Sequence, residues 1–155
     1  MTPGILAAKN AKISYTIHEY THDPSSESYG SEAAEKMGVP EVRVFKTLIV
    51  TLDSRDLVVG VVPVSSMLSM KLIAKAAGAK KATMAAASDV ARSTGYVLGG
   101  VSPLGQKKRL KTFIDASAEL FSSVYVSAGR RGLEIELSPN DLRNLTNGVF
   151  AEICQ

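Results

Sequence analysis

Phe45-Lys46-Thr47-Leu48-Ile49-Val50-Thr51-Leu52 is followed by Asp53-Ser54-Arg55-Asp56 and then by Leu57-Val58-Val59-Gly60-Val61-Val62-Pro63-Val64. Two runs rich in β-branched residues flank a polar turn, the pattern of a hairpin. Both runs are apolar almost without interruption, which predicts strands buried on both faces rather than a sheet with one wet side. Other elements must therefore cover the hairpin from two directions.

Working outward, Thr2-Pro3 reads as a cap followed by proline at the first helical position, opening a helix to about Asn10. Ile13 to Tyr20 alternates and reads as a strand, His22 to Ser26 as a loop, and Ser31 as the cap of a short helix ended by Gly38. Downstream, Ser69 caps a helix to Ala77 with Gly78 beyond it, and a second helix covers about Ser88 to Thr94. Gly95 to Gly105 is a glycine-rich loop or interrupted strand. Strands at 123–127 and 133–137 flank the turn Gly129-Arg130-Arg131-Gly132. Ser138-Pro139-Asn140-Asp141 opens a last helix before a terminal strand at 149–153. The expected fold is α/β: one domain over 1–155 around a mixed, barrel-like, partly closed sheet flanked by short helices.

With 155 residues, 45% hydrophobic and 21% charged, the chain can bury a core. No apolar run is long enough for a membrane span, and the first residues do not read as a secretory signal. The single cysteine, Cys154, allows no internal disulfide and fits a reducing, cytoplasmic setting. The net charge of +3 hides an asymmetry: 71–111 holds nine basic residues against Asp89 alone. A segment with so little counter-charge points to a polyanionic partner, with phosphates contacted rather than bases read.

Several chemistries are disfavoured. His18 and His22 stand alone, without the HExxH glutamate or a Cys/His cluster, so neither metal nor cofactor is expected. Ser102 is no nucleophile-elbow serine, because Leu104 stands where that motif needs glycine. Gly95 to Gly100 has P-loop spacing, but Val101-Ser102 follows in place of Lys-Ser/Thr. Lys46, in a strongly apolar strand, is either a site cation or an edge residue whose stem reaches water. Gly99-Gly100 before Pro103 is either an ordinary bulge or a place where backbone meets a ligand.

At these residues the chain resembles the YbaK/EbsC family of bacterial tRNA deacylases, related to the editing domain inserted in prolyl-tRNA synthetases. The likeness spans Met1-Thr2-Pro3, His22-Asp23-Pro24, Phe45-Lys46-Thr47-Leu48, Ser93-Thr94-Gly95-Tyr96 and, most specifically, Gly99-Gly100-Val101-Ser102-Pro103-Leu104-Gly105-Gln106-Lys107-Lys108-Arg109. It is strongest to the Cys-tRNA(Pro) deacylase branch. Ser127-Ala128-Gly129-Arg130-Arg131-Gly132-Leu133 is similar to the family's Ser-Gly-Gly-Lys-Arg-Gly-Leu turn, departing at Ala128 and Arg130.

The resemblance implies removal of cysteine from tRNA(Pro), and by extension from tRNA(Cys), alongside prolyl-tRNA synthetase. It implies Lys46 and Gly100 as catalytic groups, the latter through its amide. Tyr20, Phe45, Gly99, Ser102 and Pro103 would line the substrate pocket, while Lys107, Lys108, Arg109, Arg130 and Arg131 would contact tRNA. It also implies that the substrate's own thiol attacks the ester. The alternatives are a deacylase for another amino acid such as alanine, or a non-catalytic tRNA- or synthetase-binding module.

Overall fold

The computed structural model describes residues 1–26 and 28–155. In chain order the elements are α1 (Pro3–Asn10), β1 (Tyr15–Glu19), α2 (Tyr29–Met37), β2 (Phe45–Leu52), β3 (Asp56–Pro63), α3 (Met70–Ala77) and β4 (Ala82–Met84). Then come α4 (Ala87–Thr94), β5 (Lys111–Asp115), β6 (Val124–Arg130), β7 (Leu133–Leu137), α5 (Pro139–Thr146) and β8 (Val149–Ala151).

The expected hairpin forms, β2 running antiparallel to β3 from Phe45 opposite Pro63 to Leu52 opposite Asp56. Its turn places Asp53 and Ser54 at φ 50° and 59°, and the Arg55 N–H donates to the Leu52 carbonyl at 2.9 Å. Two positive φ values in succession give the turn a twist that matches the strands it joins. The Asp53 carboxylate anchors it by accepting from the Lys81 amide at 2.9 Å.

The hairpin is the centre of a five-stranded mixed sheet in the order β4-β2-β3-β5-β8, with β3, β5 and β8 mutually parallel. A second, three-stranded antiparallel sheet has the order β1-β7-β6. The two are bridged by Val44 and Tyr125. The mixed α/β architecture is as the sequence implies; its barrel-like curvature takes the form of two sheets that do not close into a ring.

One face of the hairpin (Phe45, Ile49, Val59, Val61) packs against Val124, Val126, Leu133, Ile135 and Leu137 of the second sheet. The other face (Val50, Leu52, Val58, Val62) packs on Ile73 and Ala74 of α3, with Leu68, Phe113 and Ile153. Both faces are buried, as the unbroken apolar runs predict. Burying each of these side chains stabilises the fold by roughly 2 kcal/mol.

Three caps work as read: Thr2, Ser69 and Ser138 accept from Ile5, Leu72 and Asp141 amides at 3.2, 3.1 and 3.1 Å. Ser31 does not cap. The helix begins three residues earlier, at Tyr29, with the Glu32 amide donating to the Ser28 carbonyl at 3.0 Å, and the Ser31 hydroxyl reaches out to Glu41 Oε1 instead. The early start places Gly30 against the hairpin, where a Cβ would collide with Val64 Cγ1. β4 and β5 were not legible: the first is three residues long, and the second directly follows a basic stretch. Among the described residues no helix is long and apolar enough to cross a membrane.

Candidate active site

A cavity of about 320 Å³ opens between α2, the start of β2, the end of β1, the β6–β7 turn and the Leu98–Val101 loop. Phe45, Lys46, Thr47 and Leu48 all line it, although consecutive residues of a strand point to opposite faces. The reason is that β2 meets the cavity edge-on. β4 pairs only with Val50, Thr51 and Leu52, so among the described residues no strand of the five-stranded sheet covers that edge beside 46–48. The Ile49 carbonyl accepts from the Ala85 amide along this edge at 3.0 Å. By the two-residue repeat, the main-chain groups of Thr47 point the same way. The Thr47 hydroxyl is buried, with no hydrogen-bond partner among the described residues.

Opposite lies Glu134 of β7, 7% exposed. Burial pushes its carboxyl up to about 8, so at neutral pH it is largely a neutral acid, able to donate as well as accept. Tyr20 is placed beside it by its amide, which donates to the Gly132 carbonyl at 2.9 Å. Burial first, and then the Glu134 charge, raise the Tyr20 phenol above its ordinary value, leaving it a donor.

The sequence reading missed Glu134 because Leu133-Glu134-Ile135-Glu136-Leu137 alternates as a strand with one wet face. That face does carry Glu136, which accepts from the Ser123 hydroxyl at 2.5 Å and bonds His18 Nε2 at 2.9 Å. At Glu134, however, α2 closes over the sheet. The usable signal was Tyr125 and Ser127 on the neighbouring strand, where a solvent-facing strand needs no aromatic.

The expected site residues divide. Tyr20, Phe45, Lys46, Gly99, Arg130 and Arg131 line the cavity. Lys46 lies opposite Val62 on the α3 side of the hairpin, and no carboxylate pairs with it among the described residues. Gly100 does not present a free amide: its N–H donates to the Val97 carbonyl at 3.0 Å, and it is packed on the Arg130 backbone. Ser102 is wholly buried outside the cavity, its hydroxyl accepting from the Leu104 amide at 3.1 Å. Pro103, Lys108 and Arg109 line a separate cavity of about 280 Å³ beside α5. Lys107 is exposed, its amide tied to the Thr94 carbonyl at 3.0 Å. The turn at Leu98-Gly99, closed by the Gly100 amide on the Val97 carbonyl, takes that amide out of use, and beyond Val101 the chain lines a different cavity.

The Cys154 thiol is pushed up to about 12, by burial first and then by the Asp115 carboxylate. It does not line the cavity. Among the described residues no three His, Cys, Asp or Glu side chains gather as a metal site would require.

Residues 23–145 match the aminoacyl-tRNA editing domain. The chain is 41% identical over 142 residues to the Enterococcus faecalis protein named "Putative Cys-tRNA(Pro)/Cys-tRNA(Cys) deacylase EbsC", covering 92% of this chain and 86% of that one. It is 27% identical over 139 residues to Bacillus subtilis YwhH, covering 89% and 88%. Among solved structures, a "putative trans-editing enzyme for prolyl tRNA synthetase" superposes with a TM-score of 0.86 at 20% identity, over 99% of this chain and 95% of that one. The hypothetical protein APE2540 superposes with a TM-score of 0.87 at 25% identity, over 99% of each. With a family model spanning most of its length and a relative this similar, the chain belongs to the aminoacyl-tRNA editing domain family of the YbaK/EbsC type.

Proposed function

We propose that residues 1–155 act as a single trans-editing domain that removes cysteine wrongly esterified to tRNA(Pro), and cysteine from tRNA(Cys), in the cytoplasm beside prolyl-tRNA synthetase. The observation that carries this reading is what lines the cavity. It offers donors, acceptors and cations on apolar walls, yet neither histidine nor cysteine is among its described lining residues. The Thr47 and Ser127 hydroxyls in the lining have no histidine beside them among the described lining residues, and Glu134 is held largely as a neutral acid rather than a base, so a substrate that carries its own nucleophile suits this site. Cysteine brings its own.

In the proposed step the substrate thiolate attacks the ester carbonyl carbon and forms a carbon–sulfur bond. The carbon–oxygen bond to the ribose then breaks, and the ribose oxygen takes up a proton equivalent to the one the thiol lost. The products are a cysteine thiolactone and free tRNA. A thiol of ordinary pKa near ~8.5 supplies some thiolate at neutral pH. A near-attack pose can lower the barrier by roughly 7–11 kcal/mol in favourable intramolecular cases.

The protein's work is therefore positioning and charge stabilisation. Phe45 and Leu48 exclude water, and Lys46 contributes a cation. Because the Gly100 amide is already committed to Val97, the Thr47 main chain and hydroxyl, the Tyr20 phenol and the neutral Glu134 are the polar groups for the amino-acid end and the developing oxyanion.

The test is deacylation of tRNA charged with cysteine, S-alkylated cysteine, serine or alanine. Cysteine alone should react quickly, and an added amine should trap the thiolactone. Comparable rates for alanine or serine would instead mean activated water and a different substrate. Binding without any turnover would mean a non-catalytic module.

A further inference from the structure

The loop before α2 and the β6–β7 turn are joined by a chain of side chains in which only Arg131 has figured so far, as a cavity-lining residue and an implied tRNA contact. The Arg131 guanidinium lies over the Tyr29 ring, its central carbon 3.4 Å from the ring centroid. Arg131 Nη1 bonds His22 Nε2 at 3.0 Å. His22 Nδ1 bonds Glu32 Oε1 at 2.7 Å, and Glu32 Oε2 accepts from the Asp23 amide at 2.8 Å.

Arginine can only donate, so His22 Nε2 must be the acceptor and Nδ1 must carry the proton given to Glu32. Glu32 is itself 5% exposed. Burial alone would raise its carboxyl, but the bonds from His22 and the Asp23 amide outweigh it and hold the group below its ordinary range. The three residues thus form a directed line, carboxylate to imidazole to guanidinium, that fixes where the guanidinium points.

The guanidinium lines the cavity beside the Leu98–Val101 loop, with its Nε and Nη2 turned toward Gly99. At Gly99, where φ is +90°, a Cβ would sit 2.7 Å from Tyr29 Cε2 and 2.9 Å from Arg131 Nε. The glycine is therefore what lets the Leu98–Val101 loop approach the Arg131–Tyr29 pair. Of five guanidinium N–H donors, one is given to His22. Among the described residues no carboxylate forms an ion pair with Arg131, whereas exposed Arg130 does lie 4.0 Å from Glu19. A half-buried, pre-oriented cation with its fork unspent suits a phosphate.

We propose that Arg131 binds a phosphodiester at the 3′ end of the nucleic-acid substrate, and that His22 and Glu32 are the positioning residues that hold it there. This deepens the editing reading and rests on it for the identity of the substrate, but its test does not depend on turnover.

The probes are the dinucleotide cytidylyl-(3′→5′)-adenosine and its methylphosphonate, identical except for the missing charge. The unmodified protein should bind the phosphodiester about tenfold or more tightly. Arg131→Ala should bring that ratio to about one, and His22→Ala should lose most of it. His22→Gln, whose amide oxygen can accept where Nε2 does, should restore most of it; this variant also serves if His22→Ala does not fold. On cysteinyl-tRNA, His22→Ala should raise KM and leave kcat nearly unchanged. A ratio near one in the unmodified protein, or a ratio surviving Arg131→Ala, would overturn the phosphate site. A folded His22→Ala that keeps the ratio, a His22→Gln that fails to restore it, or a loss confined to kcat would overturn the positioning role.

Discussion

Glu134→Gln should stabilise the protein more and more as pH rises. The carboxyl sits at about 8 in the folded chain against an ordinary 4.5, with burial as the cause. A group raised in this way binds its proton more tightly when folded. Its stabilisation is fully present below about pH 4.5 and is lost as pH climbs through about 8. At about 1.4 kcal/mol per pH unit, ionised Glu134 costs the fold roughly 5 kcal/mol once fully reached, and roughly 4 kcal/mol accrues between about pH 5 and pH 8.5. Glutamine has the same shape and never ionises. The assay is urea unfolding followed by circular dichroism across that range, for both proteins. Near pH 5 the two midpoints should nearly coincide; by pH 8.5 the variant should be more stable by about 3–4 kcal/mol. A stability difference that stays flat within about 1 kcal/mol would refute the claim that Glu134 is held as a neutral acid.

Lys46→Ala should fold normally, by thermal melting, and lose most deacylation, whereas Cys154→Ser should leave turnover intact, because the thiol lies outside the cavity and is held protonated. Replacing Lys107, Lys108 and Arg109 together by alanine should flatten the salt dependence of tRNA binding, measured as the slope of log affinity on log salt. The slope should fall by roughly 0.7–0.9 for each phosphate that the variant no longer neutralises. Gly30→Ala should cost about 1–3 kcal/mol in an unfolding titration, because its methyl would drive into Val64.

The hairpin, three helix caps and the overall α/β class could be read from residues 1–155 because each is a local event. A cap needs a hydroxyl and an amide three residues apart, and a buried strand needs only apolar residues in a row. Ser31 failed as a cap because the helix already runs from Tyr29, with Ser28 at the N-cap position giving no side-chain capping bond of its own. The packing of Gly30 on Val64, between positions far apart in the chain, decides the start of that helix. β4 escaped notice because a three-residue edge strand exists only by virtue of the neighbour it pairs with.

For the candidate site, residue context raised Lys46 and Gly99, and the family resemblance added Tyr20, Phe45, Arg130 and Arg131; all six line the cavity. Two lone histidines and a single penultimate cysteine also led the sequence reading to expect no metal site and no catalytic cysteine. The tertiary structure decided the rest. It turned Ser102 and Pro103 away from the cavity and gave the Gly100 amide to Val97. It left the β2 edge at Thr47 unpaired by any strand of its own sheet among the described residues, and it buried Glu134, a residue that strand alternation by itself would leave to water. The physical reason is the same in each case: a hydrogen bond's partner, a carboxyl's hydration and a strand's free edge depend on elements distant in the chain, and no window of neighbouring residues contains them.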